Sequence, residues 1–231
     1  MTMDHTRVFS DPASVAGYAE STPQRVPGYS DLHRMVQILL SEQATANARI
    51  FVLGAGGGLE LQALATACPD WRFVGVDPSR PMLDLAAEVL GPLHKRVDLV
   101  NGHVADAPPG LFDGATCLLT LHFLSRPDRL AVLRELRHRL KPGAPLVIAH
   151  HCHPHPGPVE DWLARSAGFS AGQSSSTASV KASAANMAQH LTLLTPDEEE
   201  ALLCEAGFLH PALVYAALSF RGWAAYAGPT P

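Results

Sequence analysis

The sequence predicts an α/β protein, a mostly parallel seven-stranded sheet with helices on both faces. Three observations predict it. Strand patterns alternate with helical ones five times over residues 49–150. The first strand breaks into glycines and then turns helical, in "RIFVLGAGGGLELQALA". The end of the chain, "HPALVYAALSFRGWAAYAG", offers two further strands joined near Ser219. Alternation of this kind builds βαβ units, and a parallel sheet covered on both faces is the arrangement that buries them.

The elements follow in order. After a polar N-terminal arm, "SDLHRMVQILLSEQA" reads as a helix with Ser30 as N-cap, and Leu32, Met35, Val36, Leu39 and Leu40 recur at helical spacing. "RIFVL" (49–53) is an unbroken apolar run, as a buried strand requires. Leu59, Leu61, Ala63, Leu64 and Ala65 form a helix that "CPD" stops. "WRFVGVD" (71–77) is the second strand, ending on Asp77, and Pro81 opens a helix that Gly91-Pro92 closes. "RVDLVNG" (96–102) is the third strand, and "DGATCLLTLHFL" (113–124) holds the fourth. "RPDRLAVLRELRHRL" is a helix ended by Lys141-Pro142-Gly143, and "APLVIAH" (144–150) is the fifth strand. From Cys152 to Leu194 the pattern weakens. "VEDWLARSAGF" forms a short helix there, and "SAGQSSSTAS" reads as a linker or loop. In "TPDEEEALLCEAGF" Thr195 caps, Pro196 takes the first helical position, acids fill the first turn and Gly207 ends the helix. The expected organisation is an N-terminal arm or flap over 1–30 and one ligand-binding domain over 31–231, with a lid insertion at 152–194.

With 231 residues, 47% hydrophobic and 17% charged, the chain is long enough to bury a full core. A formal charge of −5 argues against a duplex or large RNA partner. Arg126, Arg129, Arg134, Arg137, His138 and Arg139 lie close together and read as the solvated face of a helix. Cys68, Cys117, Cys152 and Cys204 are scattered without a CxxC pair, and Cys117 and Cys204 read as reduced core cysteines. The N-terminus carries no basic region followed by an apolar core, and no run approaches ~18 apolar residues. A cytoplasmic protein with no membrane partner is expected.

Sheets of this kind bind ligands beyond the carboxyl ends of their strands. The glycine turn, Asp77, Gly102-His103, Leu118 to His122 and His150-His151 all fall there. The glycines select among cofactors. A dinucleotide fingerprint started at Gly54 needs a third glycine at 59, where Leu59 stands, and a P-loop needs a Lys-Ser or Lys-Thr pair where Leu59-Glu60 stands. GxGxG is complete at Gly54, Gly56 and Gly58, and Asp77 at the tip of the next strand is placed to accept from both ribose hydroxyls.

On "VLGAGGG", "VGVDPSRPMLDLA", "VNGHVADAP", "LFDGATCLLTLHFL" and "LRHRLKPGAPLVIAH", the chain resembles the class I methyltransferases that use S-adenosylmethionine (SAM), over roughly residues 29–226. The resemblance implies a Rossmann-like fold, SAM as cofactor and S-adenosylhomocysteine as product. It implies that Gly54, Ala55, Gly56 and Gly58 pass the methionine part, with Leu118 near the amino end through its backbone. Asp77 takes the ribose, Pro78 and Met82 flank the adenine, and His103 and Val104 meet its edge. Two positions depart from the family's pattern. Val52 stands where an acid commonly serves the ammonium group, and His103 where an acid commonly accepts from the adenine amino group.

A narrower resemblance lies at the ends. "RVFSDPASVAGYAESTPQRVPGYSDLHRMVQIL" and "LTLLTPDEEEALLCEAGFLHPALVYAALSF" are similar to the carboxy-SAM synthases of tRNA wobble-uridine modification. This implies Tyr29 beside the ligand and a homodimer. That family also places an arginine in its lid to hold the extra carboxylate. Here Asn186 stands there, and the nearest cation is Lys181, which favours ordinary methyl transfer to a small-molecule substrate.

His122, His150 and His151 are the candidate catalytic residues, needed as bases only where the acceptor is protonated at neutral pH. "HHCHPHP" reads as a polar pocket wall rather than a metal site, since adjacent strand residues point oppositely and zinc ligands usually come from separated segments. The alternatives are a carboxy-SAM synthase-like enzyme and a non-catalytic SAM-binding domain; an NAD oxidoreductase ranks last.

Overall fold

A computed structural model describes residue 15 and residues 17–154, 157–172 and 176–229. The expected arm therefore lies largely outside the described residues. Two helices open the described chain, α1 (Tyr18–Arg25) and α2 (Tyr29–Ser41). The βα alternation follows as β1 (Arg49–Leu53), α3 (Leu59–Ala67), β2 (Arg72–Asp77), α4 (Arg80–Leu90), β3 (Val97–Asn101), β4 (Gly114–Leu118), α5 (Arg126–Arg139) and β5 (Pro145–His151). Then come α6 (Val159–Ala171), α7 (Thr177–His190), α8 (Pro196–Glu205) and the hairpin β6 (Phe208–Ala217) and β7 (Phe220–Ala227). The sheet has seven strands in the order β3-β2-β1-β4-β5-β7-β6. β1 to β5 are parallel, and β7 runs antiparallel to both β5 and β6.

Alternation along β1 explains the two layers. Phe51 and Leu53 point into one core with Leu130, Leu133 and Leu136 of α5 and Leu202 of α8. Ile50 and Val52 point into the other, against Leu32, Val36 and Leu40 of α2 and Leu61 and Leu64 of α3. Burial of about a Leu-sized side chain is worth ~1.5–3 kcal/mol, so these stripes dominate the helices' attachment to the sheet. Because β1, β2 and β4 start from matched registers, their carboxyl ends finish together, and the turns that follow converge on one edge.

Four local expectations are corrected. The N-cap of α2 is Gly28 at φ +66°, not Ser30, which sits inside the first turn. The stretch 170–179 is not one loop: α6 runs to Ala171, and Ser176 caps α7 by accepting from Ser179 N–H. Cys204 is exposed, whereas Cys68, Cys117 and Cys152 are buried, and all four are free thiols. The arginines of α5 are not one solvated face. Arg129 is 0% and Arg137 4% exposed. Arg129 pairs with the equally buried Glu199 and donates to Thr192 O at 2.8 Å, and Arg137 donates to Gly228 O.

Thr195 and Glu198 form the capping box that starts α8 and thereby fixes Glu199 on its inner face. Among the described residues no helix is long and apolar enough to cross a membrane.

Removing one member of a buried ion pair strands the other charge and costs about 3–5 kcal/mol, whereas exposed pairs contribute under about 1 kcal/mol. Glu199→Ala should lower unfolding stability by about 3–5 kcal/mol in chemical denaturation. Arg126→Ala, removing the exposed Arg126–Glu205 pair between the same two helices, α5 and α8, should change it by less than about 1 kcal/mol.

Candidate functional site

The glycine turn is moulded onto β2. Gly54 and Ala55 N–H both donate to Val76 O, at 2.9 and 3.0 Å, and Gly56 N–H donates to Asp77 Oδ2 at 2.9 Å. The other Asp77 oxygen accepts from Ser79 N–H at 2.8 Å. Burial raises the Asp77 carboxyl above its ordinary range, and the two amides draw it back only in part. Two glycines are demanded by geometry. Gly54 has φ +75°, and a Cβ there would meet Thr120 Oγ1 at 2.0 Å. Gly58 has φ +80° and lies against α4, where a Cβ would meet Ala86 Cα at 2.8 Å. Gly58 thus serves helix packing; Gly54, Ala55 and Gly57 border a space in front of the turn.

That space is a narrow cleft, about 290 Å³ when the open solvent at its mouth is counted, between the glycine turn, the ends of β1 and β4, and the N-terminal helices. Tyr18 of α1, Tyr29 and His33 of α2, Glu60 of α3, and Leu118 and Leu119 after β4 line it. The Tyr29 ring meets His33 edge-on with centroids 4.4 Å apart. Pro27 O accepts from Tyr215 OH at 2.5 Å, which ties the Val26-Pro27-Gly28-Tyr29 segment to β6. Leu119 is a non-glycine residue at φ +57°, a strained conformation of the kind that marks functional loops.

Of the residues singled out in the sequence, Tyr29, Gly54, Ala55 and Leu118 line the cleft itself. Gly56 and Asp77 adjoin it through their mutual hydrogen bond. Met82 is buried with its methyl against Gly56, while Pro78 is exposed beside Asp77. His103 is exposed, donating its N–H to Asp106 Oδ2 at 2.7 Å, and Val104 is buried behind it. Two polar residues of this edge escaped the sequence reading. Asn101 Nδ2 donates to Asp77 O and Pro78 O, at 3.1 and 3.0 Å, and so fixes the turn after β2. Glu60, 7% exposed, lines the cleft; an acid in a helix's first turn carries no sequence signal that it is buried.

His122, His150 and His151 gather behind Leu118–Leu119 rather than in the cleft lining. Their rings are neighbours, with His122 centred 6.3 Å from His150 and 5.2 Å from His151. His150 is wholly buried and donates from Nε2 to Glu199 Oε1 at 2.8 Å. Burial alone would raise the Glu199 carboxyl, but His150 and Arg129 reverse this and hold it below the ordinary range. His122 Nδ1 accepts from His151 N–H at 3.1 Å, which assigns the neutral ring's proton to Nε2. His151 Nδ1 lies 2.7 Å from Ser219 Oγ, itself 2.6 Å from Ser166 Oγ of α6. Burial, then the neighbouring imidazoles, pushes His122 well below 6.5 and His151 to about 3.

The segment between β5 and α8 leaves and returns at one place. Cys152 N–H donates to Ser219 O and His153 N–H to Leu194 O, both at 2.8 Å. α6 and α7 pack on each other, and α6 also packs on α1. Asn186 and Lys181, both on α7, are exposed. Among the described residues no group of three or more His, Cys, Asp or Glu side chains is placed to hold a metal ion.

Comparison with known proteins agrees with this geometry. Residues 51–146 match the family model Methyltransf_12, a methyltransferase domain. The chain is similar to proteins named carboxy-S-adenosyl-L-methionine synthase. That of Haemophilus ducreyi is 25% identical over 167 residues, 64% of this chain and 66% of the relative. That of Chromohalobacter salexigens is 34% identical over 156 residues, 64% and 56%. The matches thus span less than two thirds of either relative. Among solved structures, human N-acetylserotonin methyltransferase in complex with SAM superposes with a TM-score of 0.65 at 14% identity, covering 97% of this chain and 59% of that one. Residues 51–146 thus match a methyltransferase domain, and the chain has the Rossmann-like fold of the class I methyltransferases.

Buried neutral histidines make the fold acid-sensitive. An unfolded imidazole takes up a proton near pH 6.5, but folded His151 does so only at about 3, His33 at about 4 and His122 well below 6.5. Below pH 6.5 the unfolded state binds more protons, so stability falls as pH falls. Glu60, raised to about 7, acts oppositely between pH 4.5 and 7 and offsets about one of these histidines. Denaturation titrations should show a loss of about 1–3 kcal/mol per pH unit between pH 6 and 5. A flat profile there would show the imidazoles to be solvated.

Proposed function

We propose that the chain binds SAM at the carboxyl edge of β1, β2 and β4 and transfers its methyl group to a small-molecule acceptor, leaving S-adenosylhomocysteine. The observation that carries this reading is Asp77. Each of its oxygens accepts one backbone N–H and keeps a lone pair for a ribose hydroxyl. A buried, still unsatisfied acid at the other end of the cleft fits a ligand that is cationic. When bound, the ligand supplies an electrophilic methyl on a sulfonium.

The chain's part is alignment and exclusion of water. In this reading Pro78 and Met82 flank the adenine, and His103 and Val104 meet its edge. The turn Gly54 to Gly56 and the Leu118 backbone take the methionine end. Tyr18 and Tyr29 cover the ligand from the N-terminal side. Segment 152–194, whose two ends meet at His153 and Leu194, shapes the acceptor's entrance as a lid. His122, His150 and His151 form the wall behind Leu118–Leu119; His122 Nδ1, His151 Nδ1 and His150 Nε2 are engaged inside the protein, while His150 Nδ1 is buried without a hydrogen-bond partner. The net charge of −5 favours a small-molecule acceptor over a nucleic acid.

A second reading, synthesis of carboxy-SAM, is favoured by the names of the relatives. Exposed Asn186, where those enzymes are expected to carry an arginine, counts against it.

Asp77→Ala should weaken S-adenosylhomocysteine binding at least about tenfold, as the loss of two hydrogen bonds to a charged acceptor requires. An unchanged dissociation constant would refute the ribose assignment. Mass spectrometry of the nucleosides released from the purified chain should show SAM or S-adenosylhomocysteine; carboxy-SAM in their place would establish the second reading.

A further inference from the structure

Glu60 is the second residue of α3, directly after the glycine turn. Its side chain is 7% exposed and lines the cleft, yet Oε1 has no hydrogen-bond partner. Burial pushes its carboxyl up to about 7, and the Thr116 hydroxyl draws it back in part. Thr116 pairs with Val52 across β1 and β4, and paired residues of neighbouring parallel strands face the same side. The influence of Thr116 on this carboxyl puts Glu60 near the Val52–Thr116 pair, where Thr116 Oγ1 is itself buried without a hydrogen-bond partner. β1 itself brings no acid there.

The groups around this carboxylate leave it uncompensated. Tyr18 of α1 and Tyr29 and His33 of α2 line the cleft with it, and Cys117 of β4, whose side chain lies in the core on the sheet's other face, feels its charge. Burial holds both phenols and the thiol above their ordinary ranges and lowers His33 to about 4, so all four are neutral at pH 7. Among the described residues no lysine or arginine lines the cleft. His33 Nε2, also buried, likewise has no partner. A buried acid with a free oxygen, a cleft before it and no lysine or arginine among the described lining residues is complementary to a ligand that brings a cation.

We propose that Glu60 receives the ammonium group of the adenosyl amino acid bound in this cleft. The inference rests on the ligand class proposed above and names the residue that holds its amino-acid end. Of the two cations on SAM, only the ammonium has N–H groups to give Oε1. The sulfonium offers no such donor. Asp77 and Glu60 then divide the ligand between them, ribose at one end and ammonium at the other.

The test is calorimetry on the full chain with two probes, S-adenosylhomocysteine and 5′-methylthioadenosine, which shares the adenosine and thioether but has no amino-acid end. Glu60→Gln should weaken S-adenosylhomocysteine at least about tenfold, as loss of a charge-assisted contact implies, and leave 5′-methylthioadenosine within about twofold; retained binding of the latter also shows that the variant is folded. In the wild type, affinity for S-adenosylhomocysteine should rise about tenfold from pH 6 to pH 8, since an ammonium binds only the ionised carboxylate. That rise should vanish in Glu60→Gln. Titration of Asp77 would move both probes alike and so is told apart. Equal weakening of both probes, or no weakening of either, overturns the assignment of Glu60. If the wild type binds neither probe, the proposed function fails and the role of Glu60 fails with it.

Discussion

The carboxylate of Asp77 joins the two turns on which the whole site is built. One oxygen holds Gly56 after β1, the other holds Ser79 before α4, and both lie at the end of β2. Without that bridge the glycine turn would keep its two bonds to Val76 O but lose its third anchor. The bridge also explains why the acid is buried at some cost to its ionised form. Its two structural bonds use one acceptor site on each oxygen and leave the others for a ligand. Gly58 supports the same arrangement from behind, by letting α3 approach Ala86 of α4 more closely than any side chain would allow.

A second carboxylate organises the other half of the sheet edge. Glu199 binds Arg129 of α5 and His150 of β5, and Arg129 reaches on to Thr192 O. One acid thus links α8, α5, β5 and the chain segment that returns from α7. The same region closes through Ser166, Ser219 and His151, which connect α6 to the tip of the β6–β7 hairpin. Burying charge in this way is weak evidence for net stability, because desolvation opposes the attraction. Its effect here is positional: it fixes where β5 ends and therefore where the wall of histidines stands.

The sheet was legible in the residues because its signals are local. The apolar runs Ile50–Leu53 and Pro145–Ala149, the Thr195–Glu198 capping box and the turn near Ser219 each report on their own neighbourhood. The glycine turn and Asp77 were legible for the same reason, since spacing along the chain carries them. What escaped depends on partners far away in sequence. Arg129 looks like any helix arginine until Glu199, 70 residues on, is folded against it. Gly28 caps α2 only because a left-handed residue fits there, a fact the better-known preference for serine obscures. Glu60 resembles an ordinary first-turn acid until α1 and α2 roof it over. The weak pattern of 177–190 hid α7, whose residues have low helical amphipathicity and bury little beyond Ala184.

The central claim is that this edge of the sheet holds an adenosyl amino acid rather than a dinucleotide. Direct calorimetric titration of the full chain with S-adenosylhomocysteine and, separately, with NADH tests it most simply. Saturable one-to-one binding of S-adenosylhomocysteine with no heat from NADH is the result the geometry predicts. Saturable binding of NADH with none of S-adenosylhomocysteine would contradict it.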